Sequence, residues 1–480
     1  MNRNNLLGHV ALALTIILVA AFAGQVRRWE KKRASAPRSR SCFTAMPERR
    51  VDVAKDLSEP EVLVRFRPGV SEEEKRQITR GLNDTIENEI ESVEGLTFID
   101  DLDNADPQAV ADEYSRMKDT VEYAEPNNMI SLEPEEGKIG GDDVSEESSE
   151  LLSGKLPDDP MFAEQWSLSN SGQRGGKAKA DINALLAWDK KTTGSENVVV
   201  AVLDSGVDYR HQDLVANMWE RPANVAAYYD DQLGLVDDQY GYDATSIGGD
   251  PMDENGHGTH CAGIIGADGN NGIGIAGINW RVKIMPLKFM SKGGFGSTKD
   301  AVEAINYVIN RKEAGVNVRI ISASWGSTQK SKALEDVIRA AGQAGILFVA
   351  ASGNASANAD KSPHYPASFD LPNIISVAAL NRNDELASFS NFGAKRVHIA
   401  APGAEILSTW LNGDFREASG TSMATPEVAG VAALVLAVEP KLSMEDLRAR
   451  LLKSVDKLPG LKGKVSTGGR INAARAVGAE

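Results

Sequence analysis

Beyond about residue 156, short apolar runs rich in β-branched residues recur at Val198 to Leu203, Val282 to Leu287, Val318 to Ser322, Ile346 to Ala351 and Ile374 to Ala379. Apolar runs without polar alternation suit strands covered on both faces. Asp300 to Ala314, Lys332 to Ala344, Ser422 to Ala437 and Ser443 to Val455 instead carry apolar residues three and four apart, which gathers them on one side of a helix. Gly345 stands where the second of these stops, the place at which a helix commonly ends on glycine. Strand runs separated by crossover-length material predict an α/β fold with a mostly parallel central sheet and helices on both faces. No solenoid-type repeat interrupts the pattern.

Ahead of this region the periods change. Glu61-Val-Leu-Val-Arg-Phe-Arg67 alternates like a half-buried strand, and Ser71 with Glu73 and Glu74 opens a helix reaching about Leu82. A strand at Leu96 to Ile99, a helix from Pro107 to Met117 and a strand at Val121 to Pro126 complete a small α+β domain, placed at 59–132. Between Glu133 and Glu150 eight acids face one lysine, the composition of a solvated tether, set at 133–155. Residues 25–58, rich in Arg, Ser and Pro, read as a linker. The uncharged apolar run Leu6 to Ala23 ends in Ala21-Phe22-Ala23, so 1–24 reads as a cleaved signal peptide or a retained membrane anchor. Only Arg3 precedes that run, whereas Arg27, Arg28, Lys31, Lys32 and Arg33 follow it, which runs against the usual signal-peptide charge order. The large domain occupies 156–480.

Composition narrows the function. A chain of 480 residues, 42% hydrophobic and 25% charged, holds one large and one small domain. Its net charge of -16 argues against broad phosphate-backbone binding, so no nucleic-acid partner is expected. Two distant cysteines, Cys42 and Cys261, supply neither a disulfide framework nor a zinc site.

Three segments carry chemistry. Asp204 ends the run Val-Val-Val-Ala-Val-Leu and is followed by Ser205 and Gly206; a strand-end aspartate is often simple turn chemistry, yet catalytic groups gather at such strand ends. His257 stands between two glycines in Asp253-Glu-Asn-Gly-His-Gly-Thr-His-Cys-Ala-Gly263, one of six histidines in the chain. His260, one turn on, needs no role beyond packing or hydrogen bonding. Ser422 opens an apolar helix in Gly420-Thr-Ser-Met-Ala-Thr-Pro-Glu-Val-Ala-Gly430; taken singly it could be a capping serine. Together they match a requirement, because a hydroxyl becomes a nucleophile near neutral pH only when an imidazole takes its proton and a carboxylate steers that imidazole.

Val-Leu-Asp-Ser-Gly, Asn-Gly-His-Gly-Thr-His and Gly-Thr-Ser-Met-Ala-Thr-Pro, in that chain order, resemble the three signature blocks of the subtilisin family. The resemblance implies a subtilisin-like three-layer fold and a serine endopeptidase with Asp204, His257 and Ser422 as catalytic triad. It also implies Asn354, at the end of Phe348-Val-Ala-Ala-Ser-Gly-Asn354, as oxyanion donor. Ser322, Ala323, Ser324, Trp325 and Gly326 resemble the family's substrate-pairing strand, and Ala351, Ser352 and Gly353 the other wall of the primary specificity pocket. No cluster of acids faces that pocket in the sequence, so apolar or aromatic residues before the cut are expected. His364, ahead of Tyr365-Pro366-Ala367, either lines the pocket or sits in a surface loop.

The same resemblance implies structural calcium held by Asp159, Asp213 and Asn271, with carbonyl oxygens of Gly269, Ile273 and Ile275. A second site near Asp243, Asp250 and Asp253 lacks the usual acids between Ala244 and Gly249. The small domain is similar to the family's inhibitor propeptide, which implies a zymogen that cleaves its own propeptide between Ser131 and Pro157. Two residues depart from the family pattern: Glu427 replaces a common histidine, and Cys261 lies one helical turn past His257. The expected partners are protein or peptide substrates and the chain's own propeptide, in a monomer that is secreted or membrane-anchored. The alternatives are a selective membrane-anchored maturase and a non-catalytic binding module.

Overall fold

A computed structural model describes residues 62–132, 156–230, 234–245 and 249–480. The apolar run within 1–24, the linker and the acidic tether lie outside these residues.

Nine strands form the central sheet in the order Val455–Lys457, Gly469–Ile471, Ile399–Pro402, Ile374–Leu380, Leu347–Ala351, Val318–Ala323, Gly194–Asp204, Arg281–Lys288 and Tyr242–Asp243. The first two run antiparallel and every other pairing is parallel. Gly194–Asp204 lies inside the sheet, with Val202 opposite Ser322 on one side and Pro286 on the other. Its side chains alternate between two cores. Val198, Val200 and Val202 join one cluster, and Val199, Ala201 and Leu203 join the other. This two-sided burial is why the run shows no polar alternation.

One face carries the helices His257–Gly266 and Thr421–Val438, the other Thr298–Glu313 and Lys332–Gln343. Thr421–Val438 is apolar all round, the mark of a helix enclosed by protein, and 89% of it is buried. Ser297 caps Thr298–Glu313 through a reciprocal bond pair with Asp300, and Ser331 caps Lys332–Gln343. Gly345, at φ 77°, follows the latter helix in the left-handed conformation that suits glycine.

The small domain is a four-stranded antiparallel sheet, Asp84–Glu89, Leu96–Asp101, Val62–Phe66 and Val121–Pro126 in spatial order, with helices Glu72–Gly81 and Pro107–Arg116. It docks on the two helices of the second face through a polar seam. Lys299 pairs with Glu87 at 2.9 Å, Asn88 donates to Glu303 at 3.2 Å, and the Ser92 amide donates to Asn306 at 3.2 Å. These three helix residues recur at four- and three-residue steps, so they share one face. Farther along, the Glu125 carboxylate accepts from the amides of Lys332 and Ala333 and from the Ser331 hydroxyl. It thereby satisfies amides that the first turn of that helix leaves without partners. Arg65 and Tyr123 both reach Asp336, at 2.6 and 2.9 Å.

Candidate active site

The carboxyl end of strand Gly194–Asp204 delivers Asp204 into the interior, where its Oδ1 lies 2.6 Å from His257 Nδ1. Both side chains are buried. The flanking glycines have distinct tasks: a Cβ on Gly258 would lie 2.1 Å from the Gly206 carbonyl oxygen, and one on Gly256 would lie 2.5 Å from Trp410. Contacts that short leave room for hydrogen alone, so backbone and ring close tightly around the imidazole.

Asp253 anchors this corner, a role not read from the sequence, where it entered only as an acid of the doubtful second calcium site. Its carboxylate accepts from the Thr259 hydroxyl at 2.6 Å, from the Thr259 and Gly256 amides at 3.0 Å each, and from the Ser205 hydroxyl at 2.9 Å. It therefore ties the turn after Asp204 to the first turn of the His257 helix. Burial holds the Asp253 carboxyl above its ordinary range despite these donors. The Asp–x–Asn–Gly run before a helix was the signal available in the sequence. Asp243 accepts from the Thr245 amide and hydroxyl, and Asp250 from the Tyr209 hydroxyl and the Met252 amide, so each of the three acids of the doubtful second calcium site has hydrogen-bond donors from the protein itself.

Ser422 is the second residue of its helix, after Gly420 at the cap. Pro426 lacks the amide hydrogen that would bond the carbonyl four residues back, and that carbonyl belongs to Ser422. The Ser324 hydroxyl donates to it at 2.8 Å, and the Cys261 thiol lies 3.6 Å away. In return the Ser422 hydroxyl donates to the Ser324 carbonyl at 3.0 Å. Ligating atoms of Cys261, Asp204 and His257 all lie within 4.8 Å of one another, so the thiol that reaches the Ser422 carbonyl also lies close to the acid and imidazole.

Asn354 is oriented by its oxygen, which accepts from the Thr421 amide and hydroxyl at 2.9 Å each. The amide nitrogen is left to face Gly420: a Cβ there would lie 3.3 Å from Asn354 Nδ2 and 3.5 Å from the Ser422 amide nitrogen. Two donors thus flank one point beside the Ser422 side chain, at the positive end of a long helix.

Ser322 and Ala323 end their strand and Ser324 contacts Ser422, while Trp325 is fixed by a bond to the Leu203 carbonyl at 2.9 Å. Gly326 bridges antiparallel to Ser131 of the small domain. The strand Met129–Ser131 pairs on its other side with Phe295–Ser297, and the Leu132 amide donates to the Gly294 carbonyl at 2.9 Å. The end of the small domain therefore lies as an added strand between two backbone edges, one of which continues from Ser324, the residue bonded to Ser422. Across the site, Ala351 ends its strand, Ser352 donates to the Asn391 carbonyl at 3.3 Å, and the Gly353 amide donates to the Thr421 hydroxyl at 3.1 Å.

The remaining sequence candidates separate by location. His260 is buried and reaches the carbonyls of Ile406 and Arg416 at 3.1 and 3.0 Å, pinning a hairpin to its helix. Glu427 is wholly buried beside the Ser167 hydroxyl; burial pushes its carboxyl up to about 8, with the Asp181 charge adding to the rise. His364 is buried, and desolvation pushes its imidazole down to about 4.

Asp159 and Asp213 are buried and turn toward the loop from Gly269 to Gly277. Asp159 accepts from the amides of Asn270 and Asn271 at 2.7 and 3.3 Å, and Asp213 from the Ile275 amide and Asn271 Nδ2 at 3.0 and 2.8 Å. Burial raises both carboxyls, Asp213 to about 6 with the Asp159 charge contributing. Two buried acids whose hydrogen-bond donors are neutral are a donor set that fits a hard cation. Gly269, Ile273 and Ile275 lie on the same loop. Asn271, however, turns its nitrogen toward Asp213 while its oxygen accepts from the Ile273 amide at 2.7 Å.

Comparison with known proteins fits this geometry. Residues 195–474 match the family model described as Peptidase S8, subtilase family. The chain is 32% identical over 417 residues to the thermophilic serine proteinase of Bacillus sp. strain AK1, covering 87% of each chain. It is 38% identical over 261 residues to subtilisin-like protease 2 of Plasmodium falciparum, where the match covers 54% of this chain and only 18% of that much longer protein. A solved protease structure from Pseudoalteromonas arctica superposes with a TM-score of 0.56 at 28% identity, covering 68% of this chain and 99% of that one. Matched across more than half its length by the family model and along most of its length by a serine proteinase, the chain belongs to the subtilase family of serine peptidases.

Proposed function

We propose that the protein is a serine endopeptidase made as a zymogen, with Asp204, His257 and Ser422 as triad and Asn354 as oxyanion donor. The observation that carries this reading is the 2.6 Å contact of Asp204 with His257 in a corner shared, through Cys261, with Ser422. In the proposed reaction Ser422 Oγ gives its proton to His257 and attacks the scissile carbonyl carbon. Asp204 stabilises the imidazolium, and Asn354 Nδ2 with the Ser422 amide binds the oxyanion. His257 then protonates the departing amine, leaving an acyl-enzyme on Ser422. Water, deprotonated by His257, attacks the acyl carbon and restores the hydroxyl.

In this reading the domain at 59–132 is an intramolecular inhibitor whose last strand takes the place of substrate, supported by the pairing of Met129–Ser131 with Phe295–Ser297 and Gly326. Substrate backbone would pair with Ser322 to Gly326 in the same manner. Asp159, Asp213 and the loop of Gly269, Asn271, Ile273 and Ile275 would hold structural calcium, with the Asn271 amide rotated to present its oxygen. Such an ion would neutralise two buried carboxylates and stiffen the loop. The apolar run of residues 6–23 is read as directing the chain out of the cytoplasm, as a cleaved signal or as an anchor.

Expression of the wild-type chain beside Ser422→Ala tests the reading. The wild type should yield a shortened product whose N-terminus lies between residues 132 and 157, while Ser422→Ala accumulates at full length. Equal maturation of both chains would refute self-cleavage.

A further inference from the structure

The strand Met129–Ser131 is locked in register along its whole length. Upstream, the Asn128 carbonyl accepts from the Thr298 amide and hydroxyl at 2.9 and 3.0 Å, and the Asn127 side chain accepts from the Lys299 amide at 3.0 Å. Those amides belong to the first turn of a helix, which has no internal acceptor for them. In the middle, Ile130 is buried in the core while Met129 and Ser131 face outward. A slip of one residue would exchange those faces and set Met129 or Ser131 in the place of Ile130. Downstream, Ser131 bridges Gly326, and the Leu132 side chain packs on Gly294, where a Cβ would lie 3.0 Å from Leu132 Cδ1.

This register names the bond that meets the nucleophile. Antiparallel partners step in opposite directions, so the residue two beyond Ser131 is matched with the residue two before Gly326. The second of these is Ser324, whose carbonyl accepts from the Ser422 hydroxyl at 3.0 Å. The first is Glu133, and Pro134 follows it in the sequence. Hydrolysis at that bond would pass the Glu133 acyl carbon to Ser422 Oγ and then to water, while the Pro134 nitrogen left with a proton from His257. That nitrogen carries ring Cδ where any other residue carries hydrogen. To take the proton it must turn its lone pair toward His257, and the ring turns with it. Around His257 the backbone and Trp410 already leave room for hydrogen alone at Gly256 and Gly258, so there is no spare volume to receive a methylene.

Resting on the endopeptidase reading above, we infer that the docked small domain presents Ser422 with a bond it does not cut, Glu133–Pro134, and that the first maturation cut is made farther along the tether by a second copy of this chain. The small domain then plugs its own enzyme instead of serving as that enzyme's first substrate. Bonds beyond Pro134 cannot reach Ser422 of the same molecule while the strand keeps its register, so they are left to another molecule whose groove has emptied. Each enzyme freed in this way frees more, and maturation is autocatalytic.

The test follows maturation of the full chain and of Pro134→Ala, with Pro134→Ser as a second variant, at several protein concentrations. Products are identified by N-terminal sequencing, and Ser422 is counted by covalent labelling with a fluorophosphonate. Wild type should mature after a lag that shortens at higher concentration and on seeding with a trace of matured enzyme, and its new N-terminus should lie between residues 135 and 157. The variants should be cut between Glu133 and residue 134, independently of concentration and about tenfold or more faster than wild type, the scale set by one misplaced methylene. A wild-type product that begins at Pro134 overturns the inference, whether or not the variants fold. So does a wild-type rate indifferent to concentration and to seeding, and so do variants cut no faster than wild type or at the wild-type bond. Chains that take no label at Ser422 in any form would instead overturn the endopeptidase reading itself.

Discussion

Glu303 offers a sharp test of how the small domain is held. It lies in the polar seam, 7% exposed, with Asn88 donating to it and Lys299, Glu87, Asp300 and Asp230 as the charged groups around it. Burial, with the charges of Asp230 and Asp300, outweighs Lys299 and pushes its carboxyl from 4.5 up to about 8. Once the docking face meets water, the carboxyl returns toward its ordinary value. Between those limits the docked state keeps a proton that the separated state releases, so docking weakens as pH rises. The contribution is complete below pH 4.5, falls by about 1.4 kcal/mol per pH unit, and levels off above about 8. The whole span has a ceiling of about 5 kcal/mol, of which water penetration and relaxation leave a fraction. Urea unfolding of the Ser422→Ala chain from pH 5 to 9, compared with the same chain carrying Glu303→Gln, reads this directly. The glutamine chain should gain stability relative to its parent as pH rises, by at least about 1 kcal/mol between pH 5 and 8. Parallel curves for the two chains would refute the reasoning; Glu427, also raised to about 8 by burial, titrates in both and cancels.

Three further outcomes follow from the site. Asn354→Ala should lower kcat by about 100- to 1000-fold with KM little changed, because the lost donor acts on the oxyanion; an equal loss through KM would move Asn354 to substrate binding. If the proposed calcium site exists, chelation by EDTA should lower the melting temperature of the wild type and have little effect on Asp213→Asn, and an identical shift in both would remove Asp213 from that site. A mercurial should inhibit peptide cleavage through Cys261, whose sulfur lies 3.6 Å from the Ser422 carbonyl, and Cys261→Ala should resist it. Undiminished wild-type activity under mercury would contradict that placement.

The parallel strands and the long helices were legible because their residues are apolar for one reason only, burial on one or both sides. Val198 to Leu203 is the interior of the observed strand Gly194–Asp204, whose first residues are polar and edge the sheet. The strand Asp84–Glu89 was invisible, since four of its six residues are charged or amide-bearing and it gains its place by pairing and by docking. Ile406–Thr409 and Phe415–Ala418 escaped notice for a similar reason: they are short, and His260 reaching across from another helix helps fix them. Asp204, His257, Ser422 and Asn354 were readable from local segments. Asp253 and the Ser324 hydroxyl were not, because their value lies in which distant donor or carbonyl they meet. Pro426 stood in plain view, yet its effect, freeing the Ser422 carbonyl for Ser324, needed the fold.

The strand Met129–Ser131 is gripped along its main chain by Phe295–Ser297 on one side and Gly326 on the other. A groove with two such rails accepts only straightened polypeptide, for a helical or tightly turned stretch spends those amides and carbonyls on itself. If substrates lie in this groove as proposed, native targets would have to surrender several residues of local order before being cut, and susceptibility would follow how easily a partner unravels at the chosen spot.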